Sequence, residues 1–253
     1  EFYTEPAKKL PVRHFDVVVA GGGTAGVFAA LAAARNGAKT MLIESKGYCG
    51  GIATEGGTAI HSFYNLYTAF ENCEPRKVVQ GIPGEFMDEL TAQGGATGYP
   101  EMITGRGYDS ICTAVDVEKY KILAFKKLED AGVFVAVNTL LGDAIMDGER
   151  IKGVIILRRS GREAIMAKSF IDSTGYGDLS AHAGAEFTVP NDYASCNSFG
   201  LANASIDDYH KFLESHDAVG QMCRGPRSGE DGKFVRMGAE RLDIPGFVDE
   251  TKK

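Results

Sequence analysis

The feature that most constrains this chain is Gly21-x-Gly23-x-x-Gly26, placed between an apolar run and an Ala-rich run. His14 to Ala20 reads as a strand. Four successive apolar positions in it predict burial on both faces, as in a parallel sheet. Val27 to Asn36 reads as a helix, ended by Gly37 at a C-cap position. Lys39 to Glu44 reads as a second strand. The glycines therefore fall where a strand turns into a helix. The first permits the tight turn, the second lets a pyrophosphate approach the backbone, and the third lets helix and strand pack closely. A phosphate there meets free N–H groups and the positive end of the helix dipole. Glu44 ends the second strand, 18 residues past Gly26. A carboxylate at that place accepts hydrogen bonds from ribose hydroxyls and repels a 2′-phosphate. The unit reads as a dinucleotide site. A turn that merely packs would explain Gly21 and Gly26 but not Glu44.

The rest of the chain does not continue as alternating strands and helices. Residues 45 to 60 form a Gly-rich loop. A short helix is expected over Pro83 to Gln93 and another over Val117 to Ala131, its Lys121 to Lys127 charges on a solvated face. Val133 to Val137 reads as a strand. Three β runs follow, Thr139 to Met146, Ile151 to Arg158 and Glu163 to Ala167, joined by Asp147-Gly148 and Ser160-Gly161 hairpin signals. Phe170 to Asp172 is a further short strand. The stretch 94 to 107 is turn-like. Residues 191 to 253 are more polar, with one helix expected near Ile206 to Ser215.

Composition narrows the partners. The formal net charge is -7, with no Lys/Arg cluster, which argues against nucleic acid and against an anionic membrane surface. No apolar stretch approaches the roughly 20 residues of a membrane span. The 32 glycines have no three-residue period, so they signify turns and close backbone approaches. Five cysteines, widely spaced and without C-x-x-C, read as mostly free thiols and favour a reducing, cytoplasmic compartment. The five histidines show no metal-binding spacing, and no structural metal is expected. The chain starts without Met, so a removed signal peptide stays compatible with it.

Two blocks carry a resemblance. Residues 16 to 57, DVVVAGGGTAGVFAALAAARNGAKTMLIESKGYCGGIATEGG, resemble the N-terminus of FAD-dependent oxidoreductases with the glutathione-reductase-type fold, related to fumarate reductase flavoproteins. Residues 131 to 186 resemble the central region of the same family. There AGVFVAVNT, the β runs and KSFIDSTGYGDLSAHAGAEF stand against a common I-D-A-T-G-D-G-D-L pattern. The resemblance implies an α/β chain: a Rossmann-like FAD-binding fold with a parallel sheet and a three-stranded β-meander, plus an inserted substrate-facing region. The FAD-binding domain would use residues 1–60 and 114–190. The substrate-facing cap would use 61–113 and 191–253.

The resemblance also implies site roles. Gly21, Gly23 and Gly26 cradle the FAD pyrophosphate. Glu44 binds the adenosine ribose, with Ser45 and Lys46 alongside. Gly50 and Gly51 lie by the ribityl chain or flavin, and Ala53, Thr54 and Gly56 run beside the ring. Val137 offers its backbone to the adenine. Thr174 and Gly175 let a strand end approach the pyrophosphate, and Asp178 matches an acidic position after that turn. Tyr176 departs from the common Asp. His61 is the candidate for proton movement or covalent flavin attachment, weighed against a packed histidine. Cys49 is expected to be a neutral thiol, and His182 to pack on a short helix. Arg106 and Tyr108 could meet an anionic substrate, and Phe63, Tyr64, Tyr67 and Phe70 could line its pocket; loop support and core packing are the alternatives.

The implied activity is transfer of hydride or electrons between FAD and a small-molecule substrate. Nothing after Gly184 resembles the family's C-terminal Gly-Asp motif. The chain therefore reads as an N-terminal portion, as one that relies on a second chain to complete the flavin site, or as a true minimal form. Two alternatives stay open: an NAD-binding enzyme like thiazole synthase, and a non-catalytic cofactor-binding subunit that needs a partner. Glu44 suits NAD equally; Gly50-Gly51 and STGYGD favour FAD.

Overall fold

A computed structural model describes residues 2–55, 60–62, 66–67, 76–98, 112–188, 199–201, 208, 211, 215 and 235–237. In chain order its elements begin with β1 Val12–His14, β2 Val17–Ala20, α1 Thr24–Arg35 and β3 Thr40–Ile43. Then come β4 Ile60–Ser62, β5 Leu66–Tyr67, β6 Arg76–Lys77, α2 Ile82–Ala92, β7 Cys112–Ala114 and α3 Val117–Asp130. They continue with β8 Phe134–Ala136, β9 Leu140–Asp147, β10 Arg150–Arg158, β11 Gly161–Met166 and β12 Ser169–Asp172. Last are α4 Asp178–His182, β13 Phe199–Leu201 and β14 Val235–Met237. The chain divides into two compact units, residues 1–49 with 124–187 and residues 50–123 with 188–253.

The first unit is Rossmann-like. A parallel sheet has the order β12-β2-β3-β8. A second sheet, β1-β11-β10-β9, is an antiparallel meander with β1 added in parallel to β11. Val18, Val19, Ala20, Met41, Leu42 and Ile43 are all buried, which is the two-sided burial the apolar runs predict. Val18, Ala20, Met41, Ile43 and Ala136 share a core with Val154, Ile156 and Ile165 of the meander. By alternation Val19 and Leu42 face the other way, towards α1, which packs on β2 and β3. Val27, Ala30 and Leu31 form the buried stripe of that helix.

The strand expected over 14–20 is in fact two strands in two sheets. Asp16 makes the break. Its carboxylate accepts the Lys39 N–H at 2.9 Å and pairs with Lys168 Nζ at 2.6 Å. These contacts hold its carboxyl below the usual carboxylate range, the Lys168 hydrogen bond first. The hairpins also differ by one residue. The pairs Asp147↔Arg150 and Arg158↔Gly161 place the turns at Gly148–Glu149 and Arg159–Ser160.

In the second unit, Phe86, Met87 and Leu90 of α2 are buried. The Phe86 ring lies 4.8 Å from that of Tyr120 on α3. The Thr113 hydroxyl donates to the Gly98 carbonyl at 2.8 Å. Three two-stranded pairs, β4-β7, β5-β6 and β13-β14, belong to this unit. Of the helix expected near 206–215, Asp208, Lys211 and Ser215 are described, and each is helical. Among the described residues no helix is long and apolar enough to cross a membrane.

Candidate dinucleotide site

The site is assembled at the carboxyl ends of β12, β2, β3 and β8. Gly21 leaves β2 with φ +97°, and its N–H donates to the Ile43 carbonyl at 2.8 Å. A Cβ on Gly21 would lie 2.2 Å from the Ser173 carbonyl oxygen. A Cβ on Gly26 would lie 1.8 Å from the Gly21 carbonyl oxygen. The chain's own backbone therefore demands both glycines. Gly23 caps α1 in an extended conformation, with no side-chain capping bond and no acidic residue in the first turn. A helix start with no acidic residue in its own first turn suits a diphosphate.

Glu44 follows β3 and is 8% exposed. Its Oε2 accepts the Gly22 N–H at 2.7 Å. Its Oε1 accepts the Lys46 N–H at 2.7 Å and the Ser45 hydroxyl at 3.0 Å. A carboxylate has about four acceptor positions, so these three leave about one for a ribose hydroxyl. Gly22, silent in the glycine motif, is the residue that sequence reasoning missed here. A Cβ on it would approach Glu44 Oε2 to 3.0 Å and Cys49 Sγ to 3.1 Å. Cys49 is buried and unpaired with another cysteine. Burial, and next the Glu44 charge, push its thiol up to about 12, so it stays neutral and unreactive near pH 7.

The turn after β12 is organised by Asp172, to which the sequence reading assigned no role. Its Oδ1 accepts the Thr174 N–H at 3.1 Å and hydroxyl at 2.8 Å. Its Oδ2 accepts the Ser180 N–H and hydroxyl, both at 2.9 Å. Burial opposes ionisation of Asp172, yet these bonds outweigh it and hold the carboxyl below its ordinary range. Thr174 in turn accepts the Asp178 N–H on its hydroxyl at 2.8 Å. Gly175 has φ +84° and, like Asp178, is exposed; Tyr176 is 93% exposed. After β8 the half-buried Val137 uses its carbonyl to accept the Thr139 hydroxyl at 2.9 Å.

Of the remaining candidates, Gly50 to His61 belong to the second unit. Gly50 has φ +127° and Gly51 φ +55°. They open a single 3₁₀ turn over Gly51–Ala53, closed by a hydrogen bond from the Thr54 N–H to the Gly51 carbonyl at 2.9 Å. Ala53 and Thr54 are buried. His61 pairs in β4 with Thr113 of β7 through its backbone; its side chain, like Gly56, lies outside the described residues. So do Arg106, Tyr108, Phe63, Tyr64 and Phe70, and the side chain of Tyr67. His182 is exposed, with Nδ1 3.6 Å from Asp143 Oδ1, and so is not packed as expected. The α4 helix is too short to bury it. Among the described residues no group of three His, Cys, Asp or Glu is placed to hold a metal.

Comparison with known proteins gives a family match over most of the chain. The profile described as FAD dependent oxidoreductase matches residues 16–246. A digeranylgeranylglycerophospholipid reductase of Picrophilus torridus is 27% identical over 93% of this chain and 60% of its own length. A thiamine thiazole synthase of Methanococcus maripaludis is 29% identical over 66% of this chain and 58% of its own length. Among solved structures, a geranylgeranyl bacteriochlorophyll reductase-like protein of Thermoplasma acidophilum superposes with a TM-score of 0.61 at 16% identity. That superposition covers 95% of this chain and 62% of the other. The myxobacterial chondrochloren halogenase gives 0.58 at 15% identity, covering 94% and 55%. At these identities the superpositions speak for the fold alone. The chain spans about 60% of the length of the first curated relative. Between FAD and NAD, the family match decides for FAD.

Proposed function

Given that this chain belongs to the FAD-dependent oxidoreductase family, we propose that it transfers hydride or electrons between FAD and a small-molecule substrate. The observation that carries this reading is the buried Glu44 carboxylate, bonded to Gly22 beside a helix start that has no side-chain capping bond. When bound, the flavin supplies the electron-transfer chemistry. The protein's part is to hold and orient it.

In this reading Gly21, Gly23 and Gly26, at the start of α1, cradle the pyrophosphate, and Glu44 takes a ribose hydroxyl with Ser45 and Lys46 alongside. Val137 meets the adenine through its backbone. Thr174, Gly175 and Asp178 lie against the pyrophosphate from the neighbouring strand end. Gly50, Gly51, Ala53, Thr54 and Gly56 serve the ribityl chain and ring, and His61 is the candidate proton carrier. The 61–113 and 191–253 segments would supply the substrate-facing region, and cysteines read as mostly free thiols would favour a cytoplasmic setting.

The test is a visible spectrum of the purified protein before and after denaturation. Flavin bands that leave the polypeptide on denaturation support non-covalent FAD; bands that remain would bring His61 forward as an attachment site. Glu44→Gln sets an amide NH₂ against a backbone N–H and removes the charge. It should weaken FAD binding by about 1–3 kcal/mol, read by flavin fluorescence titration. Unchanged affinity removes Glu44 from the site. The phospholipid named in the Picrophilus relative is the first substrate to try, by following flavin reoxidation.

A further inference from the structure

Asn138 is the one non-glycine among the described residues with positive φ, at +49°. A left-handed residue outside a hairpin turn asks for a reason, and asparagine tolerates this region better than most. Its neighbours supply the reason. The Asn138 N–H donates to the Lys46 carbonyl at 2.8 Å, and the Thr139 N–H donates to the Glu44 carbonyl at 2.9 Å. On the other side of the same residue, the Glu44 N–H donates to the Ala136 carbonyl at 2.9 Å. Thr139 is 1% exposed, and its hydroxyl closes onto the Val137 carbonyl. A Cβ on Gly47 would lie 3.5 Å from Asn138 Oδ1.

The β3-β8 ladder ends at Ile43↔Ala136. Beyond it, the left-handed turn at 138 bends the chain so that two successive amides reach back to Glu44 and Lys46. The backbone on both sides of the Glu44 carboxylate is thereby tied to the loop after β8. We propose that Asn138 is a positioning residue. Its left-handed backbone clamps the Ser45–Gly47 turn and so presets the Glu44 carboxylate towards Gly22 and the ribose. The inference rests on the FAD reading above and adds a residue to it.

A substitution that opens the clamp in the free protein obliges the cofactor to close it, so the apparent dissociation constant rises by the closed fraction lost. Asn138→Val disfavours the left-handed region and is expected to raise the FAD dissociation constant roughly 5- to 30-fold. Asn138→Gly, which adopts that region freely, should restore tight binding. The discriminating readout is the cycle with Glu44→Gln. If Asn138 acts through Glu44, Asn138→Val adds little in the Glu44→Gln background. The spectrum of the bound flavin should not change in any variant. Asn138→Ala replaces Asn138→Val if the latter does not fold.

Unaltered FAD affinity in Asn138→Val, failure of Asn138→Gly to restore it, or effects of the two sites that multiply would overturn the clamp. A wild-type protein that takes up no FAD would instead sink the cofactor reading, and the clamp with it. FAD uptake indifferent to Glu44→Gln would remove Glu44, and the clamp with it, while leaving the family assignment intact.

Discussion

Two turns leave adjacent strands of one sheet and solve the same problem differently. After β2, the Gly21–Gly26 loop closes by backbone against backbone. Its glycines face the Ser173 and Gly21 carbonyl oxygens at distances no Cβ tolerates. After β12, the Ser173–Asp178 turn closes by side chain, with two hydrogen bonds from Thr174 and two from Ser180 of α4 onto the Asp172 carboxylate. Gly175 and Gly177 also have positive φ there, but a Cβ on either would meet nothing within 4 Å. The first turn is thus intolerant of added volume. The second tolerates volume and depends on charge.

The contrast is broken most forcefully at Gly26. Gly26→Ala drives a methyl into a backbone oxygen that no rotamer change can move aside. A loss of about 3 kcal/mol in urea unfolding is expected, with FAD binding lost in parallel. Wild-type stability in the Gly26→Ala variant would mean that the loop is looser than its geometry.

Asp172→Asn replaces two acceptors by one acceptor and one donor facing Ser180 or Thr174. About 1–2 kcal/mol should be lost at pH 7. The pH dependence sharpens this. Because the folded carboxyl titrates below its ordinary value of 3.8, its contribution is complete well above that value and is lost as pH falls from it through the lower folded value. Wild type and Asp172→Asn should therefore converge in urea midpoint as the pH is taken well below about 4. A constant gap down to low pH would assign the loss to packing instead.

Gly175→Ala tests conformation without volume, since φ is +84° and the space is open. About 1 kcal/mol is expected from the left-handed backbone alone. The smallest effect belongs to Tyr176→Asp, which introduces the residue common in the resembling family. Tyr176 is almost fully exposed, so thermal unfolding should move by no more than about 0.5 kcal/mol.

The Gly21–Gly26 motif, the buried runs of β2 and β3, the meander and Glu44 were legible in the chain because each is a local pattern. Two-sided burial writes itself as an apolar run, and a steric demand for no side chain writes itself as glycine. Other features were not legible. Asp16 divides one apparent strand between two sheets through Lys39 and Lys168, which are 23 and 152 residues away. Gly22 is an arbitrary letter in its motif until Glu44 and Cys49 approach it.

Asp172 reads as the end of a strand until Ser180 folds back onto it. Asn138 reads as a loop residue until its amide finds Lys46. By itself, then, the sequence determined the layered α/β fold and the glycine turn between β2 and α1, since periodicity and glycine spacing express short-range sterics. Only the tertiary structure decided which polar groups hold that corner in shape. A hydrogen bond between distant residues depends on where two segments meet in space, and that meeting leaves no periodic trace along the chain.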